Sequence, residues 1–128
     1  ASVETIKSEN NDYLAYTDNG REFTGKNIFE WCKELEQLGA GELMITSIDQ
    51  EGTRKGFDLN LVKKVFSLAE VPLIVNGGYG KENHLINLLN HYKISGVAIA
   101  DAFHFDRIKI DKLKQILDDN KFSIRRIN

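Results

Sequence analysis

Polar and apolar positions along this chain fall into short apolar runs separated by stripes at spacings of three and four. Ser2 to Lys7 is a weak strand candidate, and Asp12 to Thr17 a better one, with Tyr13, Ala15 and Thr17 alternating against Leu14 and Tyr16. Asp18-Asn19-Gly20 then signals a turn, because Asn and Gly tolerate the positive φ of tight turns. Thr24 reads as the lead-in to a helix in which Ile28, Trp31, Cys32, Leu35 and Leu38 share one face from Asn27 onward. Gly39-Ala40-Gly41 stops that helix and feeds a strand at Glu42 to Ile45. Asp58 is a good N-cap for a helix whose buried stripe is Leu61, Val62, Val65, Phe66 and Ala69. Pro72 opens the next strand, to Val75, where it costs no interior ladder bond. A third helix runs from Lys81 to Tyr92 with Leu85, Ile86, Leu88 and Leu89 apolar, a third short buried strand from Gly96 to Ala100. Asp111 caps a last helix carrying Leu113, Ile116 and Leu117. Successive strands are spaced by roughly one β/α module, which predicts four modules.

The stretch from Glu42 to Gly80 holds most of the chemistry. Leu43, Met44 and Ile45 are followed at once by Thr46, Ser47, Asp49 and Glu51, and the run from Pro72 to Val75 by Asn76, Gly77 and Gly78. Two strands that each end in polar and glycine residues, with a helix between them, fit a parallel β/α sheet with its site along one rim. Asp49 and Glu51 could serve acid/base work, join a metal site with added ligands, or only cap a loop. Gly77-Gly78-Tyr79-Gly80 before a helix offers bare backbone N–H groups, the material of a phosphate cradle, although a plain tight turn uses the same residues.

Composition narrows the picture. A chain of 128 residues, 41% hydrophobic, is long enough for one globular domain. A formal charge of −2 carries no basic stripe for nucleic acid, and Lys121 to Arg126 reads as a solvated tail. The lone Cys32 excludes an internal disulfide framework, reads as a packing residue and fits a reducing cytoplasm. No apolar run approaches the roughly 20 residues of a membrane span, and the N-terminus lacks a signal-peptide pattern, so a soluble intracellular protein is expected. His84 and His91 are expected to face solvent, and His104, between two phenylalanines, to be structural. No His/Cys cluster suggests a metal, and no cofactor is expected.

Gly39 to Asp58 (GAGELMITSIDQEGTRKGFD), Pro72 to Lys81 (PLIVNGGYGK) and Val97 to Phe105 (VAIADAFHF), with Thr24-Gly25 after Asn19-Gly20, resemble the cyclase subunit of imidazole glycerol phosphate synthase. The resemblance covers essentially the whole chain. It implies half of an eight-fold β/α (TIM) barrel, an α/β fold whose four parallel modules are strands five to eight of the family's eight. It also implies that ammonia from a glutaminase partner is added to a bisphosphorylated substrate. The products are imidazole glycerol phosphate and an aminoimidazole carboxamide ribotide. By resemblance, Asn19, Thr46 and Asn76 contact substrate, with Asp49 and Glu51 in the sixth-strand loop beside them. Gly52, Gly77, Gly78, Gly80 and Asp101 fall on phosphate-binding positions, and Glu42 matches a glutamate at the ammonia gate at the bottom of the barrel.

Departures from the family pattern matter as much. At the fifth strand the family's catalytic aspartate is replaced by Thr5 without a gap, or by Glu4 with a gap of one. A glutamate can still shuttle a proton, with its carboxylate displaced by about a methylene; a threonine is no acid near neutral pH. Tyr79 replaces an alanine and Asp101 a serine beside the expected phosphate. Two function classes fit. One is the second half of a working cyclase, or of a relative that routes ammonia to a surface-sugar precursor. The other is a degenerate half-barrel without cyclase chemistry. Four parallel modules leave two open sheet edges, so the missing N-terminal half-barrel or self-association is expected to cover the sheet.

Overall fold

A computed structural model of the chain describes residues 1–125. Arg126, the last member of the basic C-terminal cluster, lies outside them. The elements in chain order are β1 (Ser2–Lys7), β2 (Tyr13–Thr17), β3 (Glu22–Asn27), α1 (Ile28–Gln37), β4 (Leu43–Ser47), α2 (Leu59–Leu68), β5 (Leu73–Asn76), α3 (Glu82–His91), β6 (Gly96–Ala98), α4 (Asp101–His104) and α5 (Ile110–Asp119). One six-stranded sheet takes the order β3-β2-β1-β4-β5-β6. Strands β1, β4, β5 and β6 are parallel neighbours, whereas β1-β2 and β2-β3 pair antiparallel.

Strand β3 corrects the expectation that Thr24 leads into a helix. The turn signal at Asp18-Asn19-Gly20 closes a hairpin, with Asp18 (φ 52°), Asn19 (φ 57°) and Gly20 (φ 79°) all left-handed. Thr24 sits within the returning strand, its hydroxyl donating to the Ala15 carbonyl at 2.7 Å. The first module is therefore a strand, an antiparallel hairpin and only then a helix. That helix begins at Ile28, where the side chain of Asn27 accepts from the Phe29 N–H at 2.9 Å.

Strand register sorts the side chains into two faces. Val3, Thr5, Tyr13, Ala15, Leu43, Ile45, Leu73 and Val75 are buried, and the Tyr13 ring meets Phe29 of α1 edge-on with centroids 6.2 Å apart. This is the face covered by helices. The cross-strand partners Glu4, Thr46, Asn76 and Ala98 line up on the other face, as do Ser2, Met44, Ile74 and Gly96. Alternation by two puts Met44, Ile74 and Ala98, rather than Leu43, Val75 and Val97, away from the helices. The helix layer is built from Ile28, Cys32, Leu61, Val62, Val65, Leu85, Leu88, Leu113 and Leu117. Phe66, expected in the buried stripe of α2, is 39% exposed and packs beside Tyr92 with ring centroids 5.7 Å apart, and Leu38, expected on the apolar face of α1, is 74% exposed at the C-cap just past its end.

The Asp58 cap is present, its carboxylate accepting from the Leu61 N–H at 3.0 Å and from the Tyr13 hydroxyl at 2.9 Å. Burial and the Asp58 contact both push the Tyr13 phenol above its ordinary range. Asp111 is not a cap. Lys109, extended at φ −89° and ψ 145°, holds that position without a side-chain bond, and Asp111 lies in the first turn, where a carboxylate still favours the helix dipole. Cys32 is buried between α1 and its neighbours, and desolvation pushes its thiol up to about 12. No helix among the described residues is long and apolar enough to cross a membrane.

Candidate functional site

The C-terminal ends of β1, β4, β5 and β6 bring polar residues to one rim. Thr46 and Asn76, adjacent in register, are linked by a hydrogen bond from Asn76 Nδ2 to Thr46 Oγ1 of 3.1 Å. Glu4 stands in the same row, paired with Thr46 across β1 and β4. Its Oε2 accepts from the Gly20 N–H at 3.0 Å, so the carboxylate is held by the turn that carries Asn19. A Cβ on Gly20 would lie 3.0 Å from Ile48 and 3.2 Å from Ile6, which shows how closely this turn folds over the uncovered face.

Thr5 is placed differently. It is 1% exposed on the helix-covered face and donates its hydroxyl to the Leu14 carbonyl at 2.9 Å. The two candidates for the fifth-strand acid thus point to opposite sides of the sheet, and only Glu4 shares a side with Thr46 and Asn76. Asp49 is anchored by the Lys7 N–H, 2.6 Å from its Oδ2. Glu51 turns instead toward a small pocket of about 40 Å³ that it lines with Gly52, Asn76, Gly77, Gly78, Tyr79 and Asp101. Glu42 is exposed just before β4, at the opposite end of the strands, where its carbonyl accepts from the N-terminal ammonium of Ala1 at 2.6 Å.

The glycine loop has a packing reason for its composition. The segment after β4 lies directly on it, with the Gly56 N–H donating to the Gly78 carbonyl at 2.8 Å. A Cβ on Gly77 would sit 2.6 Å from the Ser47 carbonyl oxygen, and one on Gly78 or Gly80 would overlap the carbonyl of Gly56 or Arg54. Gly77 (φ 96°) and Gly78 (φ 106°) also require left-handed backbone. Tyr79 is buried beside them, which raises its phenol pKa.

His84 faces solvent only in part. It is half-buried, its ring packs on Gly56, and its Nδ1 finds no hydrogen-bond partner among the described residues. Burial, with Lys81 nearby, lowers its pKa below the ordinary 6.5. His91 and His104 are exposed; His91 meets the Asn87 carbonyl at 2.7 Å, and His104 stands edge-on to Phe105.

Two residues absent from the sequence reading join the rim. Arg54 and Arg107 both bind Asp101 Oδ2, Arg54 through Nε at 3.2 Å and Arg107 through Nη2. They hold the Asp101 carboxyl below its usual range. No local motif signals this cluster: Asp101 and Arg107 lie six residues apart, but Arg54 comes from the loop after β4, 47 residues away.

A family model described as histidine biosynthesis protein matches residues 2–109. The chain belongs to that family. Among its relatives, imidazole glycerol phosphate synthase subunit HisF of Sulfurisphaera tokodaii is 40% identical over 121 residues, 94% of this chain and 47% of the relative. The HisF subunit of Streptococcus mutans is 32% identical over 124 residues, covering 97% and 49%. That of Legionella pneumophila is 52% identical over 80 residues, covering 62% and 38%. This histidine biosynthesis family member spans about half the length of the curated relatives it matches. Its mixed α/β fold and six-stranded sheet are consistent with part of a TIM barrel.

Proposed function

We propose that the chain forms strands five to eight, with their helices, of an imidazole glycerol phosphate synthase cyclase barrel, as one domain that works only when its uncovered sheet face is closed. The observation that carries this reading is the row Glu4, Thr46, Asn76 and Ala98 on the face without helices, at the rim where the parallel strands end. A barrel turns that face inward and gathers its reactive groups at the C-terminal strand ends. The names of the relatives, each a HisF subunit, supply the reaction class.

In this reading β1, β4, β5 and β6 are the fifth to eighth strands, and the hairpin β2-β3 is an excursion before the first helix. Glu4 takes the acid/base role on the fifth strand, because its carboxylate lies on the inward face and Thr5 is turned into the helix layer. Thr46, Asn76 and Asn19 orient the substrate, and the pocket between Glu51, Gly78 and Asp101 receives one phosphate. Glu42, at the other end of β4, stands at the ammonia entrance and faces a glutaminase partner.

Adding a four-module N-terminal half from a relative to this chain, with ammonia and the bisphosphorylated substrate, tests the proposal. Turnover that disappears in Glu4→Gln and persists in Thr5→Val is expected. A well-folded complex that binds substrate and never turns over points instead to a degenerate half-barrel and overturns the cyclase reading.

A further inference from the structure

Asp101 opens α4, Arg107 follows that helix, and Arg54 lies in the loop after β4 that packs on Gly80. One oxygen of Asp101 accepts from both guanidinium groups. The same aspartate lines the small pocket beside Gly77 and Gly78. All three side chains reach solvent, with Arg54 52% exposed and Asp101 and Arg107 each 31% exposed. Ion pairs this solvated are held weakly and exchange readily.

A guanidinium carries five N–H donors, and Asp101 engages few of them. Two guanidinium groups converging on one oxygen anion also match a phosphate, which offers more acceptor oxygens and a greater charge than a carboxylate. Asp101 and Glu51 line the pocket, and Arg54 and Arg107 are tied to it through Asp101. A phosphate entering beside all four would meet no net attraction. One that takes the arginines from Asp101 gains both cations.

We propose that Asp101 is an internal stand-in for a phosphate group, gathering Arg54 and Arg107 beside the pocket and giving them up when a phosphate monoester enters. This rests on the reading of the rim as a phosphate site, and it changes the part Asp101 plays there. Asp101 is a competitor of the ligand and the two arginines are its binding groups, whereas the family position is filled by serine. The device sets a threshold: weak anions fail to displace Asp101, and a dianionic phosphate succeeds.

The test is a titration of the whole chain with inorganic phosphate, and separately with glycerol 3-phosphate. Amide signals of Gly77 to Lys81, Ala102 and Phe103 are followed together with the arginine Nε signals. Asp101→Asn is expected to tighten phosphate binding roughly three- to tenfold, the effect of removing two solvated pairs. Arg107→Gln should weaken it by a similar factor, and the double variant should return near the parent. Asp101→Ser serves as a second variant if Asp101→Asn fails to fold, and should tighten binding in the same direction. Phosphate binding that is unchanged or weaker in the folded Asp101 variants overturns the exchange. If the glycine amides still shift, the anion site stands without it; if no protein shifts, the phosphate site itself falls and takes the exchange with it.

Discussion

The two faces of the sheet are built to different standards. On one, Val3, Leu43, Ile45, Leu73 and Val75 are almost wholly removed from water under α1, α2 and α3. On the other, Met44 and Ile74 share a surface with Glu4, Thr46 and Asn76, and the β2-β3 turn folds over part of it. A face that mixes large apolar side chains with hydrogen-bonded polar ones is suited neither to water nor to a dry helix contact. It suits the lining of a barrel, in which an apolar floor supports polar groups at the rim. The difference teaches that the covered face carries the stability of this chain, whereas the uncovered face is the one to which the proposed function assigns its chemistry.

Core truncation gives the largest expected effect. Leu43→Ala or Leu88→Ala, both fully buried, should lose about 2 to 5 kcal/mol in urea denaturation, while Met44→Ala should lose about 1 kcal/mol or less. Equal losses would break the comparison, because Met44 would then be packed as tightly as Leu43. Next comes the glycine loop. Gly78→Ala places a side chain at φ 106° against the Gly56 carbonyl and should cost on the order of 1 to 3 kcal/mol; a neutral result would show that the loop after β4 does not rest there.

Association tests the uncovered face directly. Each large apolar side chain left in water forgoes roughly 1.5 to 3 kcal/mol, a large part of the 5 to 15 kcal/mol that holds a domain together. Light scattering should therefore find the chain associated, with a second copy or with an added N-terminal half. Ile74→Lys should shift it toward monomer while its circular dichroism is kept. A parent chain that is already monomeric and stable would contradict the expectation of a closing partner.

The smallest effect concerns His84. Its folded-state pKa is lowered by burial and by Lys81, so the native state disfavours the proton that the unfolded chain accepts below its ordinary value near 6.5. Stability from keeping this ring neutral is fully present above that value and is lost as pH falls toward the lower folded pKa. His84→Gln should flatten the stability profile between neutrality and mild acid. An unchanged slope would assign the loss to other groups.

The elements legible in the sequence were those whose signal is local. Apolar stripes at three and four placed α1, α2, α3 and α5, and Asp58 marked a start because a short polar side chain reaches the first free N–H groups. The hairpin was half legible. Its turn residues were recognised, but Glu22 to Asn27 has little apolar alternation, and only pairing with β2 makes it a strand. At the rim, strand ends followed by polar and glycine residues identified Thr46, Asn76, Glu51 and Gly78 as neighbours in prospect.

What the sequence by itself determined is therefore the periodicity, the Asp58 cap and the set of residues delivered to the ends of the strands. Tertiary structure alone decided which way they point. A shift of one position along a strand exchanges its faces, so the choice between Glu4 and Thr5 had to wait for the register of β1 against β4 and the burial of Thr5 under α1. The same holds for Arg54, which lies 47 residues from Asp101 along the chain, and for its meeting with Arg107 at that carboxylate. Nothing in their local spacing distinguishes them from solvated charges until the fold brings two guanidinium groups to one carboxylate oxygen.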